Sequence, residues 1–332
     1  MARTPIANEY LYKYNTSQQR HRTMRWMKGR FGMKKFFAML LAAAMMLAML
    51  TACSSGNNTT ANNTEDTTGN STGTNDTAGE DAASGDTSAY GDFAGSLIEE
   101  GKLIMVTNAS FPPYEMTDDD NNIIGIDPEI AQAIADKLGL ELQIDNIDFD
   151  AALIAVQENR ADVMLAGLTY NEDRDLVMDF TDSYATGVQV IIVREGDTTI
   201  AGTNDDLQLV DAEGNVLEDI QIGVQRGTTG ENYCQGAHGV DHVTSLDNGS
   251  LAVQALLNGQ VDCVVIDNGP AQSYVEATPG LEILEGAYVV EDYCAAVDQG
   301  NEALLTAVNT ALNELIDDGT VQAIMDKYIS AE

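Results

Sequence analysis

Three short segments of this 332-residue chain set ligand-type groups just beyond apolar runs. The first, Ala166-Gly167-Leu168-Thr169-Tyr170-Asn171-Glu172-Asp173-Arg174, follows Val163-Met164-Leu165. Asn171 is placed to cap a helix, which sets Arg174 in its first turn. A guanidinium there can hold a carboxylate through two parallel hydrogen bonds; the competing reading is a surface ion pair with Asp173 or Asp175. The second segment is Gly223-Val224-Gln225-Arg226-Gly227-Thr228-Thr229-Gly230. Its glycines let backbone N–H groups and a helix N-terminus approach an anion. It lacks the Lys-Ser/Thr ending of a nucleotide loop, so the anion need not be a phosphate. The third, Val264-Val265-Ile266-Asp267, ends an apolar strand on an acid. That acid suits an ammonium group, or equally caps a helix after Pro270. Together the three segments describe a reader of zwitterions. No general acid or base stands out as a catalytic residue, because His238 and His242 lie outside these segments and are expected at the surface.

The elements that would position these groups alternate as strand and helix from about Gly95 onward. Leu103-Ile104-Met105-Val106 is expected as a buried strand, and Asp127-Pro128-Glu129 as a helix start with Asp127 as its cap and Pro at the first position. Ile130, Ile134 and Leu138 recur at helical spacing before Gly139 stops the helix. Leu142 and Ile144 mark a strand, a second helix runs from about Asp150 to Asn159, and Val163-Met164-Leu165 is the next strand. This is the order of a parallel sheet with covering helices. The run Val156-Gln157-Glu158-Asn159-Arg160-Ala161-Asp162-Val163 is then echoed by Leu256-Leu257-Asn258-Gly259-Gln260-Val261-Asp262-Cys263. Two similar halves imply two lobes and a cleft at the strand C-termini.

Charge narrows the partners. Lys and Arg total 16 against 53 Asp and Glu, a formal net charge of −37. Nine of the basic residues fall in the first 53 positions beside one acid, leaving seven basic against 52 acidic residues in the rest. Such a surface repels phosphate backbones, which excludes nucleic acid as a partner. Cys53, Cys234, Cys263 and Cys294 have no metal-ligand spacing, so no metal is expected. The last three are expected as small buried side chains, with any pairing among them left open.

The N-terminus reads as an address. Met33-Lys34-Lys35 precedes an apolar run, Phe36 to Leu50, that ends Leu50-Thr51-Ala52-Cys53. At about 15 residues the run is a secretory signal, short of the roughly 20 a membrane-spanning helix needs. Its ending resembles a bacterial lipobox, which makes Cys53 the lipidated residue and 33–53 a lipoprotein signal peptide. Residues 1–32 are expected to be an upstream extension from a mis-assigned start. Residues 54–94, rich in Ser, Thr, Asn, Gly and Asp, form the expected disordered tether, with a mean span of roughly 30–35 Å.

Over residues 97–330 the chain resembles the bacterial extracellular solute-binding proteins of the polar amino-acid type, family 3. The resemblance is carried by Phe111-Pro112-Pro113-Tyr114, Gly125-Ile126-Asp127, Phe149-Asp150, Asp162, Leu168-Thr169 with Arg174, Asp179-Phe180, Gly227-Thr228-Thr229-Gly230, Asp262, Asp267, and Gly319-Thr320 with Lys327-Tyr328. It implies a two-lobed α/β periplasmic-binding-protein-like (type II) fold, each lobe a mainly parallel sheet flanked by helices, joined by a two-crossing hinge. Residues 95–190 with 291–332 would form one lobe and 191–290 the other, the crossings lying near 186–194 and 286–292. It also implies a monomeric, lipid-anchored protein outside the cell membrane. That protein would capture a free amino acid without a cofactor and hand it to the permease subunits of an ABC importer.

By the same resemblance Arg174 holds the α-carboxylate, with backbone N–H groups of Thr169 and Thr229. Asp267, the Gly167 carbonyl and the Thr169 hydroxyl hold the α-ammonium. Phe111 and Phe149 sandwich the side chain, and Gln225 and Thr228 line the opposite wall. Members that take basic side chains carry Asp where this chain has Asn108, so a polar, neutral side chain is expected. The stretch Leu207–Asp219 is longer than usual, with a hairpin turn expected at Asp211-Ala212-Glu213-Gly214-Asn215. The alternative is an enzyme of the same fold, a secreted dehydratase acting on prephenate or arogenate. The sensory domain of a receptor kinase fits less well, since no second apolar span follows.

Overall fold

A computed structural model of the chain describes residues 87–329. The expected extension, the signal peptide, Cys53 and the tether up to residue 86 lie outside them. Strand β1 (Lys102–Thr107) is buried at all positions but the first. A hairpin of β2 (Met116–Thr117) and β3 (Ile123–Ile124) leads into helix α1 (Ile126–Leu138), followed by β4 (Glu141–Asn146), α2 (Phe149–Gln157) and β5 (Val163–Met164). The long strand β6 (Met178–Arg194) carries the chain into its second half through β7 (Gly202–Thr203) and β8 (Leu209–Val210). There β9 (Ile222–Gln225), α3 (Thr229–His238), β10 (Val243–Leu246), α4 (Gly249–Leu257), β11 (Cys263–Asp267), α5 (Asn268–Ala277) and β12 (Leu281–Ile283) follow in order. Strand β13 (Val289–Asp298) returns to the first half, which α6 (Glu302–Asp317) and α7 (Thr320–Tyr328) complete.

One curled sheet runs β10-β9-β11-β6-β13-β5-β1-β4, with β12 beside β6. Its outer strands are parallel, β4 and β5 flanking β1 and β10 and β11 flanking β9. The two central strands, β6 and β13, are antiparallel and pair from Met178↔Asp298 to Gln189↔Val289. The fold is therefore α/β and two-lobed, of the periplasmic-binding-protein type, and both chain crossings lie side by side in one ladder.

The sequence echo is a structural one. Helix α2 ends with Asn159 at φ 53° and an Arg160 N–H to Ala155 carbonyl bond of 2.7 Å. Helix α4 ends with Gly259 at φ 69° and a Gln260 N–H to Ala255 carbonyl bond of 2.9 Å. Both are left-handed caps that satisfy the last helical carbonyls. Beyond each cap an aspartate clips the next strand to its neighbour. Asp162 accepts from the Ile98 N–H at 2.9 Å and the Ile104 N–H at 2.8 Å, and Asp262 accepts from the Gln221 N–H at 2.9 Å.

Three expectations need correction. Asp127 does not cap α1: the cap is Gly125 at φ 137°, where a Cβ would sit 2.3 Å from the Tyr114 carbonyl oxygen. Only glycine fits that approach, so the helix begins earlier and Asp127 turns inward. The last part of the expected tether is docked, with Tyr90 and Phe93 buried in the first-half core and the Tyr90 hydroxyl donating to Glu314 at 2.8 Å. Two aromatic side chains supply the apolar burial that the preceding polar stretch lacks. His238 is half-buried, and its Nε2 accepts from the Leu209 N–H at 2.9 Å, tying the long 207–219 stretch to α3. The turn at Asp211–Asn215 forms as expected, its carboxylate accepting from the Glu213 and Asn215 N–H groups. Cys234, Cys263 and Cys294 are buried.

Because the Asp162 clip is buried and its counterpart in the second half is partly solvated, the two should differ in cost. Asp162→Ala is expected to lower unfolding free energy by about 1–3 kcal/mol, and Asp262→Ala by about 0.5–1.5 kcal/mol. Urea unfolding of the two variants checks the order.

Candidate functional site

The C-terminal ends of the parallel strands meet around one cavity. All ten residues singled out in the sequence line it: Asn108, Phe111, Phe149, Gly167, Thr169 and Arg174 from the first half, and Gln225, Thr228, Thr229 and Asp267 from the second. Ala166 and Glu115 complete the wall.

Arg174 is placed by its own loop. The Asn171 carboxamide accepts its backbone N–H at 2.8 Å, but in place of the helix expected after Asn171 there is a three-residue 3-10 turn, Arg174–Leu176, with Asp173 at its cap position. The side chain then runs inward, 8% exposed, with its guanidinium 5.5 Å from the Phe149 ring centroid. Nη1 donates to the Thr169 carbonyl at 2.7 Å, and Nη2 donates to the Gly227 carbonyl of the other half at 2.9 Å. A guanidinium has five N–H donors, so donors remain for an incoming carboxylate. Burial lowers its pKa to about 10, a fall that the nearby Glu291 carboxylate opposes, and the group stays cationic at neutral pH.

Asp267 stands at the cap position of α5, but its side chain makes no capping bond. Tyr293 donates to Oδ1, and the Gln189 carboxamide donates to Oδ2 at 2.7 Å. Burial, and then the neighbouring Glu291, raise its pKa to about 7. It is therefore an acid that a buried ammonium would fully ionise. Thr229 is the first residue of α3, where N–H groups lack intrahelical partners and favour an anion. Gly167, at φ 51°, leaves room for Phe111, whose ring would come within 2.6 Å of a Cβ there.

Asn108 is not free to choose a ligand. Its carboxamide nitrogen donates to the Ile147 carbonyl at 2.9 Å, and its oxygen accepts from Ser110 at 2.7 Å and Gln225 at 3.1 Å. Three groups escaped the sequence reading. Glu115 is fully buried on the cavity wall, and neither of its oxygens meets a donor. Burial first, then the Asp127 carboxylate beside it, drive its pKa well up, which favours its protonated form. Asp127 also accepts from the Gly167 N–H at 2.7 Å and from Tyr184. Glu291 and Gln189, on the paired strands β13 and β6, form the floor behind Asp267 and Thr169. Among the described residues Arg174 is the one buried cation, against the buried acids Glu115, Asp127, Asp162, Asp267 and Glu291. Among the same residues, no group of His, Cys, Asp and Glu could hold a metal ion, and no helix is long and apolar enough to cross a membrane.

This fold and cavity define a binding protein that encloses a small charged solute. The chain belongs to the bacterial extracellular solute-binding proteins, family 3, whose profile matches residues 103–331. It is 30% identical over 237 residues to the L-cystine-binding protein TcyJ of Escherichia coli (strain K12), covering 70% of this chain and 85% of that protein. Among solved structures it is similar to an ancestral arginine-binding protein bound to arginine, with TM-score 0.62, 37% identity and coverage of 70% and 99%. An ancestral arginine-binding protein bound to glutamine gives TM-score 0.63, 35% identity and coverage of 70% and 100%. These relatives are amino-acid-binding proteins rather than enzymes, and the family is one of extracellular solute-binding proteins.

The raised Asp267 pKa has a sign. The folded, ligand-free protein holds a proton there that the unfolded chain releases near pH 3.8, so this contribution to stability is complete below about pH 4 and lost as pH rises to about 7. Asp267→Asn, which Gln189 can accommodate by turning its unpartnered oxygen to the new amide, is expected to flatten that fall. Its ligand-free Tm should exceed that of the unsubstituted protein by a few degrees at pH 8 and match it near pH 4, as thermal unfolding across pH would show.

Proposed function

We propose that this protein captures a free amino acid outside the cell membrane by cleft closure and delivers it to an ABC importer, acting as a monomer anchored through Cys53. Arg174 takes the α-carboxylate with N–H groups of Thr169 and Thr229. Asp267, the Gly167 carbonyl and the Thr169 hydroxyl take the α-ammonium, and Phe111 and Phe149 sandwich the side chain. The observation that carries this reading is that Arg174, the one buried cation among the described residues, and the buried, ionisable Asp267 line one cavity, each supplied by a different half. The hinge is the paired stretch around residues 186–194 and 286–292, and 95–190 with 291–332 moves against 191–290.

The expectation of a neutral side chain rested on Asn108, whose carboxamide is already satisfied within the protein. The unpartnered polar atoms on the cavity wall are acceptors, both oxygens of Glu115 and Oε1 of Gln225. An excess of acceptors asks for a side chain that donates, and a cation beside Glu115 would ionise this buried carboxyl and pair with it. A guanidinium or ammonium side chain, arginine first, is therefore the favoured ligand class. A neutral carboxamide such as glutamine's is the second reading, supported by the Gln225 oxygen, which can accept its N–H₂ group.

A thermal-shift screen of the purified protein against the twenty amino acids and cystine tests this. A ligand at about 100 times its Kd adds about 2.7 kcal/mol of stability. Arginine or a related cationic amino acid should raise Tm, and Arg174→Ala should abolish the shift. Glu115→Gln is expected to weaken arginine at least about tenfold, about 1.4 kcal/mol, and to leave glutamine within about threefold. A screen in which no amino acid shifts Tm would remove the capture reading.

A further inference from the structure

Glu291 makes more contacts across this molecule than any role given to it so far uses. It sits on β13 opposite Gly187 of β6, in the ladder where the chain crosses between halves. It is 6% exposed and lies behind the cavity wall. Its Oε2 accepts from the Thr169 hydroxyl at 3.1 Å, the Thr229 hydroxyl at 3.0 Å and the Gln189 carboxamide at 3.2 Å. Its Oε1 accepts from the Tyr233 hydroxyl at 2.8 Å. Thr169 belongs to the first half, Thr229 and Tyr233 to α3 of the second, and Gln189 to the other crossing. One carboxylate thus gathers donors from both halves and from the strands that join them.

We propose that Glu291 is a positioning residue for capture, a built-in carboxylate that latches the closed cleft by collecting one hydroxyl from the first half and two from the second. The physical case has three parts. Charged acceptors make hydrogen bonds about twice as strong as neutral ones, and four donors offset the desolvation of the buried carboxylate. Those donors can converge on it only when Thr169 and the N-terminus of α3 approach each other, so the bonds to Thr229 and Tyr233 are gained on closing. The Thr169 hydroxyl, with its proton committed to Glu291, turns its lone pairs away from that carboxylate and becomes an acceptor for an α-ammonium. This last consequence rests on the capture reading above; the latch itself does not, since its bonds are all made within the protein.

The test therefore starts from the ligand-free, full-length chain. Dyes are attached through Glu158→Cys and Glu276→Cys, at exposed positions near the ends of α2 and α5 that point away from the cleft. Single-molecule energy transfer then reports the closed fraction. Glu291→Gln is expected to lower that fraction at least about fivefold. Tyr233→Phe, which removes one hydroxyl outside the cavity lining, should lower it about threefold, and the double variant should go little further than Glu291→Gln alone. A purely structural Glu291 would instead lower Tm and leave the distance distribution unchanged. Identical distributions for the unsubstituted chain and both variants overturn the latch whether or not an amino acid binds. Where arginine binds, its release should be about tenfold faster in Tyr233→Phe with association unchanged. Failure of arginine and every other amino acid to bind the unsubstituted chain counts against the capture reading alone, since the ligand-free distributions decide the latch.

Discussion

The buried guanidinium of Arg174 is the constraint around which the rest of the molecule is arranged. A cation removed from water must find acceptors or counter-charge, and here it finds backbone carbonyls from both halves, Thr169 on one side and Gly227 on the other. The Asn171 carboxamide fixes where its backbone starts, and the Phe149 ring supports its plane. The acids that balance its charge are not bonded to it directly. Glu291 and Asp267 are each saturated by hydroxyl and amide donors, which leaves guanidinium donors available for a ligand. A direct ion pair would have closed the site to carboxylates.

The scaffold keeps this arrangement adjustable. Each half is a parallel αβ unit with its own capped helix end and its own aspartate clip, so the halves can hold their shape independently. What joins them is the antiparallel pair β6 and β13, two strands that place Gln189 and Glu291 just behind the cavity wall, where both bond to residues that line it.

Much of this was legible in the sequence because it rests on local rules. The echo of residues 156–163 at 256–263 marked two identical helix ends, and Asn171 three residues before Arg174 marked the carboxamide that accepts the Arg174 N–H. An acid closing the apolar run 264–267 marked a strand end facing a cleft. The failures came from residues whose environment is set by distant parts of the chain. Glu115 follows Phe-Pro-Pro-Tyr and belongs to none of the segments read from the sequence, since nothing nearby in sequence says that Asp127 and Tyr274 approach it. Glu291 stands beside Asp292 at the edge of a strand, a pattern that normally faces water. Asp127 was read as a cap because Asp-Pro so often begins a helix, whereas the close approach of Gly125 to Tyr114 moves the start back. Periodicity shows which residues are apolar, but long-range pairing decides which acids are buried.

The central claim is that both charges of an α-amino acid are read, one by Arg174 and one by Asp267, with the cationic side chain answered by Glu115. Isothermal titration calorimetry with L-arginine, agmatine and Nα-acetyl-L-arginine separates those contacts, because agmatine lacks the carboxylate and the acetyl derivative lacks the ammonium. Saturable binding of L-arginine, with both analogues at least about a hundredfold weaker, about 2.7 kcal/mol each, is the expected outcome. Agmatine binding as tightly as L-arginine would contradict the account, since Arg174 would then have no part in holding the solute.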